Sequence, residues 1–186
     1  MRKRQVQIVL VCEDRAHESF IRRYLERRGY PLARLRVSPY PGTGRGSGKE
    51  FVRQEYLKQV REVRRYWRTS HPGGCTLVVL IDHDPGGRPD PYSDLDRRLV
   101  ADGQDGRATD EAIALFVPKL SIQTWVYHLL DSGRTVDENT DYSTSHGIGA
   151  EECRMAGEAF VIYMPDASCP LPSLRVACGE RERIPG

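Results

Sequence analysis

Thr76-Leu77-Val78-Val79-Leu80-Ile81, followed at once by Asp82-His83-Asp84, is the stretch on which the predicted fold depends. The run is the most apolar in the chain and rich in β-branched residues, and it stops at charged side chains. A short, uninterrupted apolar run of this kind is typical of a strand buried on both faces of a parallel sheet. We therefore predict that residues 76–81 form the central strand of an α/β domain.

Apolar segments on either side of this run complete the predicted sheet. The other predicted strands are residues 6–12, 32–40 and 112–117. Helical spacing of apolar residues predicts the elements between them. The predicted helices are residues 16–28, 49–68, 92–101 and 121–130. This alternation predicts a Rossmann-like α/β fold, in which a parallel sheet of about four strands carries helices on both faces.

Residues 131–186 give weaker signals than residues 1–130. We assign them to a C-terminal elaboration packed on a core made of residues 1–130. Within the elaboration, the pattern predicts helices over 149–157 and 172–183 and a strand over 159–164. The charged residues 180–183 are interpreted as a solvated helix end.

Composition and charge limit the classes of protein to consider. The chain has 186 residues, of which 39% are hydrophobic and 29% charged, which is typical of one globular domain and unlike disordered, collagen-like or membrane-embedded chains. Residues 1–74 hold 18 Lys and Arg against 7 Asp and Glu, net +11, and the remainder is net −9. This asymmetry suits a phosphate-binding surface beside an acidic metal site, although helix surfaces of unequal charge would also produce it.

Cysteine usage and the N-terminal segment give an expectation about the cellular compartment. The five cysteines form neither a disulfide framework nor a zinc motif, and the first apolar stretch is too short for a signal peptide or a membrane span. We expect a soluble, cytoplasmic protein that does not bind a membrane.

Three acidic residues follow predicted strands. Glu13 comes after the first strand, and Asp82 and Asp84 come after the third. Because the carboxyl ends of parallel strands share one edge of a sheet, these carboxylates are expected to meet there, and oxygen ligands suit Mg²⁺ or Mn²⁺. Taken singly, each site is explained as well by a helix cap or an acidic turn. Taken together, their order favours a metal site.

These motifs resemble those of the Toprim family, which includes the catalytic core of topoisomerases, bacterial primases and small stand-alone nucleases. The matching segments are Val9-Leu10-Val11-Cys12-Glu13 and Val78-Val79-Leu80-Ile81-Asp82-His83-Asp84. The resemblance covers roughly residues 5–130. It implies that Glu13, Asp82 and Asp84 are catalytic and hold one or two Mg²⁺ ions for phosphoryl transfer. It also implies a nuclease, or nuclease subunit, acting on DNA or RNA, in bacterial anti-phage defence beside a partner ATPase.

Two positions depart from the family pattern. Asp14 stands where many Toprim nucleases have glycine, and Gln123, in the stretch from Pro118 to Trp125, stands where an acid is expected. These departures favour an alternative, a degenerate Toprim module that binds nucleic acid or a partner ATPase without cleaving. A small-molecule phosphotransfer enzyme on the same scaffold is a third hypothesis.

Accessory residues are predicted near the acidic site. His17 and Glu18 lie one turn into the first helix, where His17 could contact a phosphate or move a proton, or could be an ordinary surface residue. Gln123 is a further accessory candidate, because it stands where the resemblance implies an acid. The sequence leaves the oligomeric state open, with a homo-oligomer as one alternative.

A basic surface is predicted to bind the nucleic-acid backbone. The glycine-rich segment 41–49 lacks Walker A spacing, yet it offers backbone N–H groups at a helix start together with Arg45 and Lys49. A flexible linker is the alternative for this segment. Four arginines repeat with helical spacing on the following helix, which favours contact with a nucleic-acid backbone, with binding of a protein partner as the alternative. They are Arg61, Arg64, Arg65 and Arg68.

Overall fold

A four-stranded parallel sheet forms the centre of the protein, as a computed structural model shows. The structure describes residues 7–41, 48–69, 74–84, 86, 89–131, 136–142, 148–166 and 168–185. The strands are β1 (Gln7–Cys12), β2 (Leu35–Val37), β3 (Cys75–Leu80) and β4 (Ile113–Phe116). Their order is β2-β1-β3-β4, and every pair is parallel.

Helices cover both faces of this sheet, which confirms the predicted fold class. The described helices are α1 (Arg15–Arg27), α2 (Gly48–Thr69), α3 (Pro91–Ala101), α4 (Ile122–Leu130), α5 (Ala150–Ile162) and α6 (Pro172–Glu180). One face is covered by α1, α4, α5 and α6, and the other by α2 and α3. None of these helices is both long enough and apolar enough to cross a membrane.

The apolar run that predicted β3 divides between the two faces. Val78 and Leu80 face the core beneath α1, while Leu77 and Val79 face the core beneath α2. Successive side chains of a strand point to opposite faces, so a strand with a helix layer on each side must be apolar throughout. All six residues of β3 are buried for this reason.

The C-terminal helices share the core with the segments that precede them. Phe160 of α5 lies with its ring centroid 5.2 Å from that of Tyr24 and 5.5 Å from that of Phe20. Helices α1 and α5 cross closely at Gly157, where an added Cβ would lie 2.1 Å from the carbonyl oxygen of Phe20. A side chain at this position would therefore push α5 away from α1.

Two of the predicted strands differ from the observed elements. The strand expected over residues 159–164 is wrong, since α5 continues to Ile162. Cys153, Ala156 and Phe160 are buried at helical spacing, and this packing overrides the local strand preference. The second strand is only Leu35–Val37, because a 3₁₀ turn precedes it and Pro39, which has no N–H to donate, follows shortly after.

The outer edge of β4 is occupied by side chains. The carbonyl of Ile113 accepts a hydrogen bond from Arg107 at 3.0 Å. The N–H of Leu115 donates to Glu180 at 2.9 Å, and the Leu115 carbonyl accepts from the hydroxyl of Tyr92 at 3.2 Å. Glu180 also forms an ion pair with Arg107. Its prediction as part of a solvated helix end is therefore wrong, because it is a buried carboxylate whose partner, Arg107, has a side chain that is only 11% exposed.

Candidate metal centre

The candidate site lies at the carboxyl ends of β1 and β3, the two central strands. Glu13 follows β1 directly, and Asp82 follows β3 after one further buried residue, Ile81. The strand order places β2 on one side of β1 and β3 on the other, so the chain reverses its winding direction between β1 and β3. Such a switch point leaves a crevice outside the carboxyl ends of the strands, and ligands of open α/β sheets bind there.

The Glu13 carboxylate, at the end of β1, accepts a hydrogen bond from the segment that follows β3. Its Oε1 accepts a hydrogen bond from the backbone N–H of Asp82 at 2.6 Å. Burial, together with repulsion from the Asp82 carboxylate, raises the pKa of Glu13 from 4.5 to about 7, although His17 and Lys49 act in the opposite direction. The raised pKa of Glu13 favours its protonated form, and a cation that bound it would favour the ionised form.

His17 is buried between two carboxylates. It is 1% exposed, its Nε2 lies 3.0 Å from Asp82 Oδ1, and its Nδ1 lies 2.8 Å from Asp14 Oδ1. Burial by itself would lower the pKa of His17, but the charge of Asp82 and the hydrogen bonds to Asp14 and Asp82 outweigh it and raise this pKa well above 6.5. A ring with a carboxylate oxygen at each nitrogen is an imidazolium that donates on both sides.

Asp14 fixes the position of His17 through hydrogen bonds to both its backbone and its ring. It is the N-cap of α1, and its Oδ1 accepts from the N–H groups of Ala16 at 2.9 Å and His17 at 3.1 Å. Burial opposes the ionised form of Asp14, but hydrogen bonds from His17 and Ala16 prevail and lower its pKa from 3.8 to about 2. Asp14 therefore both caps the helix and binds His17.

The arrangement could hold a divalent cation through its carboxylates. One ligand atom from each of Glu13, His17 and Asp82 lies within 4.8 Å of the others. Both nitrogens of the His17 imidazolium donate to carboxylates, so the oxygens of Glu13 and Asp82 are the donors that suit Mg²⁺ or Mn²⁺. His17 then lies behind Asp82 and fixes its orientation, as partners of metal ligands commonly do.

Asp84 does not join this cluster. Its carboxylate forms an ion pair with Nζ of Lys49 and is 46% exposed. Between the two aspartates, the N–H of His83 donates to the Pro118 carbonyl at 2.8 Å, and the His83 carbonyl accepts from Leu120 N–H at 2.8 Å. The structure thus brings together two of the three predicted acids and gives Asp84 a different partner.

Helix α2 begins in contact with Glu13. A Cβ added to Gly48 would lie 2.9 Å from the Glu13 carbonyl oxygen and 3.1 Å from its Cβ, so only glycine fits without a shift. This close approach places Lys49, the next residue, beside the site.

The sequence did not predict the close contact of Gly48 or the position of His17 between two carboxylates. The spacing of His17 three and four residues before the apolar Phe20 and Ile21 was the available signal that it faces the core.

The remaining accessory candidates have other environments. Glu18 accepts a hydrogen bond from the Tyr40 hydroxyl at 3.0 Å and pairs with Arg22 at 2.5 Å. Gln123 lies partly buried in the first turn of α4. Glu18 does not belong to the cluster of potential carboxylate, imidazole and thiol ligands found among the described residues.

The predicted arginine surface lies at the opposite end of α2 from the candidate metal centre. Near this end, the indole N–H of Trp67 donates to the carbonyl of Cys75, which begins β3, at 2.8 Å. Arg64 binds Glu111 at 2.6 Å and the Asp105 carbonyl at 2.8 Å, so much of its charge is neutralised within the chain.

The other basic candidates differ in how exposed they are. Arg61 pairs with Asp102 and Arg65 with Glu62, each at 2.5 Å, and these two arginines are 57% and 66% exposed. Arg68 is exposed. Arg45 lies outside the described residues.

Comparison of the chain with models of protein families, with curated proteins and with solved structures found no match in any of the three. The function of this chain is therefore inferred from the geometry of the site and from the motifs of the sequence.

Proposed function

We propose that this protein is a metal-dependent, Toprim-like nuclease, or nuclease subunit, that hydrolyses phosphodiester bonds of DNA or RNA. The observation that carries the proposal is the pairing of Glu13 and Asp82 at the switch point of the sheet, with His17 bonded behind Asp82. This is the place where the fold class binds ligands, and its donors are those that Mg²⁺ and Mn²⁺ prefer.

Each residue of the centre has a defined part in this proposal. Glu13 and Asp82 would hold the cation, which when bound polarises the scissile phosphate and activates a water molecule. His17 keeps one oxygen of Asp82 occupied and so orients the carboxylate. Lys49, at the start of α2, adds positive charge next to the carboxylates, and the exposed arginines toward the far end of α2 would contact the backbone of a bound polynucleotide.

A second candidate is supported by the surroundings of Asp84. Its carboxylate is paired with Lys49, and Gln123 supplies an amide where the resemblance implies an acid. A centre with fewer carboxylates binds a cation less firmly. A module that binds nucleic acid or a partner ATPase without cleaving would fit these observations.

A cleavage assay with matched variants tests the proposal. The full chain is incubated with single- and double-stranded DNA and RNA in Mg²⁺, in Mn²⁺ or in chelator, alongside Asp82→Asn and Asp110→Asn. Asp110 is an exposed aspartate in the loop before β4, so it controls for the loss of a charge. We expect cleavage that needs the cation, is lost in Asp82→Asn and is retained in Asp110→Asn.

Two results would decide against a metal-dependent nuclease. Cleavage that persists in chelator or in Asp82→Asn would exclude the metal mechanism. Binding that weakens with rising salt, as phosphate contacts require, but without cleavage in either metal, would favour the non-cleaving module.

A further inference from the structure

We infer that the ammonium group of Lys49 takes the place of a second metal ion beside Asp84, so that the centre binds a single divalent cation through Glu13 and Asp82. The inference rests on the proposed function, because it concerns how the same site is loaded. It assigns Lys49 as a positioning residue for Asp84 and as a fixed positive charge facing the substrate phosphate.

The first observation is that the three predicted acids separate into two groups. Glu13 and Asp82 are joined by the 2.6 Å hydrogen bond from Asp82 N–H, and His17 binds Asp82 from behind. Asp84 lies outside that cluster and forms an ion pair with Lys49. Asp84, the one acid of the three that stands apart from the centre, is thus already paired with a cationic side chain of the protein itself.

The second observation is that the backbone holds Lys49 in place. The preceding residue, Gly48, packs so closely on Glu13 that an added Cβ would lie 2.9 Å from its carbonyl oxygen. The Lys49 side chain is only 16% exposed. By contrast, Lys58 on the same helix is 67% exposed and lies 3.4 Å from Glu55, as in an ordinary surface pair. The Lys49 ammonium is therefore brought to Asp84 by the start of α2 and is not a freely moving surface charge.

Electrostatics then limits how many cations the site can take. A divalent ion approaching Asp84 would meet the like charge of Lys49 and would have to displace a side chain that follows directly on Gly48, the residue packed against Glu13. An ammonium group has three N–H donors, and its pair with Asp84 accounts for one of them. The others can donate to oxygens of a substrate phosphate that lies beside the cation which Glu13 and Asp82 would hold.

Counting bound Mn²⁺ ions tests the inference without relying on activity. The full chain is titrated with Mn²⁺, and free Mn²⁺ is measured by electron paramagnetic resonance, with isothermal calorimetry as a second method. We expect one Mn²⁺ per chain in the wild type. In Lys49→Met, which keeps the length of the side chain and removes its charge, we expect two. The control Lys58→Met removes the charge of a lysine on the same helix and should still bind one.

Asp84 provides a second test that leaves Lys49 unchanged. If Asp84 is not a ligand in the wild type, Asp84→Asn should still bind one Mn²⁺ with little change in affinity, whereas Asp82→Asn should lose it. In the double variant Lys49→Met/Asp84→Asn, the extra ion should disappear.

The contrary outcomes are distinct from those for the proposed function. Two Mn²⁺ ions in the wild type, one in Lys49→Met, or loss of the ion in Asp84→Asn would each overturn the role of Lys49 while leaving a metal centre. No bound Mn²⁺ in the wild type would overturn the metal centre itself, and the role of Lys49 with it.

Discussion

Replacing Glu13 with glutamine is expected to stabilise the metal-free protein at alkaline pH. Glutamine keeps an oxygen that can accept the hydrogen bond from Asp82 N–H and has no charge to bury. In the wild type, burial and the neighbouring Asp82 carboxylate disfavour the charge of Glu13, so its pKa rises from 4.5 to about 7.

The sign and size of the effect follow from this pKa. Below about pH 4.5, Glu13 is protonated in both the folded and the unfolded chain, so it makes no difference to stability there. As pH rises toward 7, the unfolded chain loses this proton first, and the folded state becomes less stable by about 3 kcal/mol, since each unit of pKa corresponds to about 1.4 kcal/mol. Glu13→Gln removes this penalty. The stability of the variant relative to wild type should therefore improve by about 2.5 kcal/mol between pH 5 and pH 8.

Urea denaturation in chelator at several pH values measures this difference. His17 has a pKa raised well above 6.5, so the stability that it contributes is present below 6.5 and is lost only as pH rises through that higher value. His17 is present in both proteins, and the comparison cancels most of its effect. Glu182→Gln, at an exposed glutamate, is the control and should change little at any pH.

Adding metal should reverse the order of stability. At pH 8, Mn²⁺ should stabilise the wild type by binding the folded state, and it should have much less effect at pH 5, where Glu13 carries a proton. Glu13→Gln should lose most of the stabilisation at both pH values. A stability difference that does not change with pH in chelator would refute the reasoning, because it would mean that Glu13 has an ordinary pKa.

Two matched pairs of substitutions test the packing that holds the site in place. Gly157→Ala adds a Cβ 2.1 Å from the Phe20 carbonyl oxygen and should cost about 1–3 kcal/mol by overpacking. Gly179→Ala, with nothing within 4 Å of the added Cβ, should gain about 0.5–1 kcal/mol; equal urea midpoints would contradict the close helix crossing. Glu180→Ala removes the carboxylate paired with the largely covered Arg107 side chain and should cost about 1–3 kcal/mol, while Glu182→Ala should stay within about 0.5 kcal/mol in thermal unfolding. A Glu180→Ala effect no larger than its control would show that the Arg107–Glu180 pair contributes nothing to stability.

The sheet and the long second helix follow from patterns that are local in sequence. The uninterrupted apolar run predicts β3, and the structure confirms this strand. The helical spacing of apolar residues predicts α2, which the structure also confirms, with Val52, Tyr56, Val60 and Val63 buried. The strand predicted over residues 159–164 failed because a short apolar run is compatible with either period. There the deciding contacts come from Phe20 and Tyr24, far away in the chain.

The candidate site was predictable only where strand ends determine it. Glu13 and Asp82 could be paired because parallel strands end at one edge. The partners of Asp84 and Glu180 could not, because Lys49 and Arg107 are far from them in the sequence and no periodic pattern relates the members of either pair.

The side chains along β4 also determine how copies of this protein can meet. An added strand would need the same outward N–H and C=O groups that Arg107, Glu180 and Tyr92 occupy. Exposed strand edges are the usual templates for intermolecular pairing and aggregation, and here the edge is closed without a further strand. On the opposite edge, β2 offers only three residues. Loss of the Arg107–Glu180 pair would therefore do more than destabilise one chain, because it would open a backbone template along which chains could join.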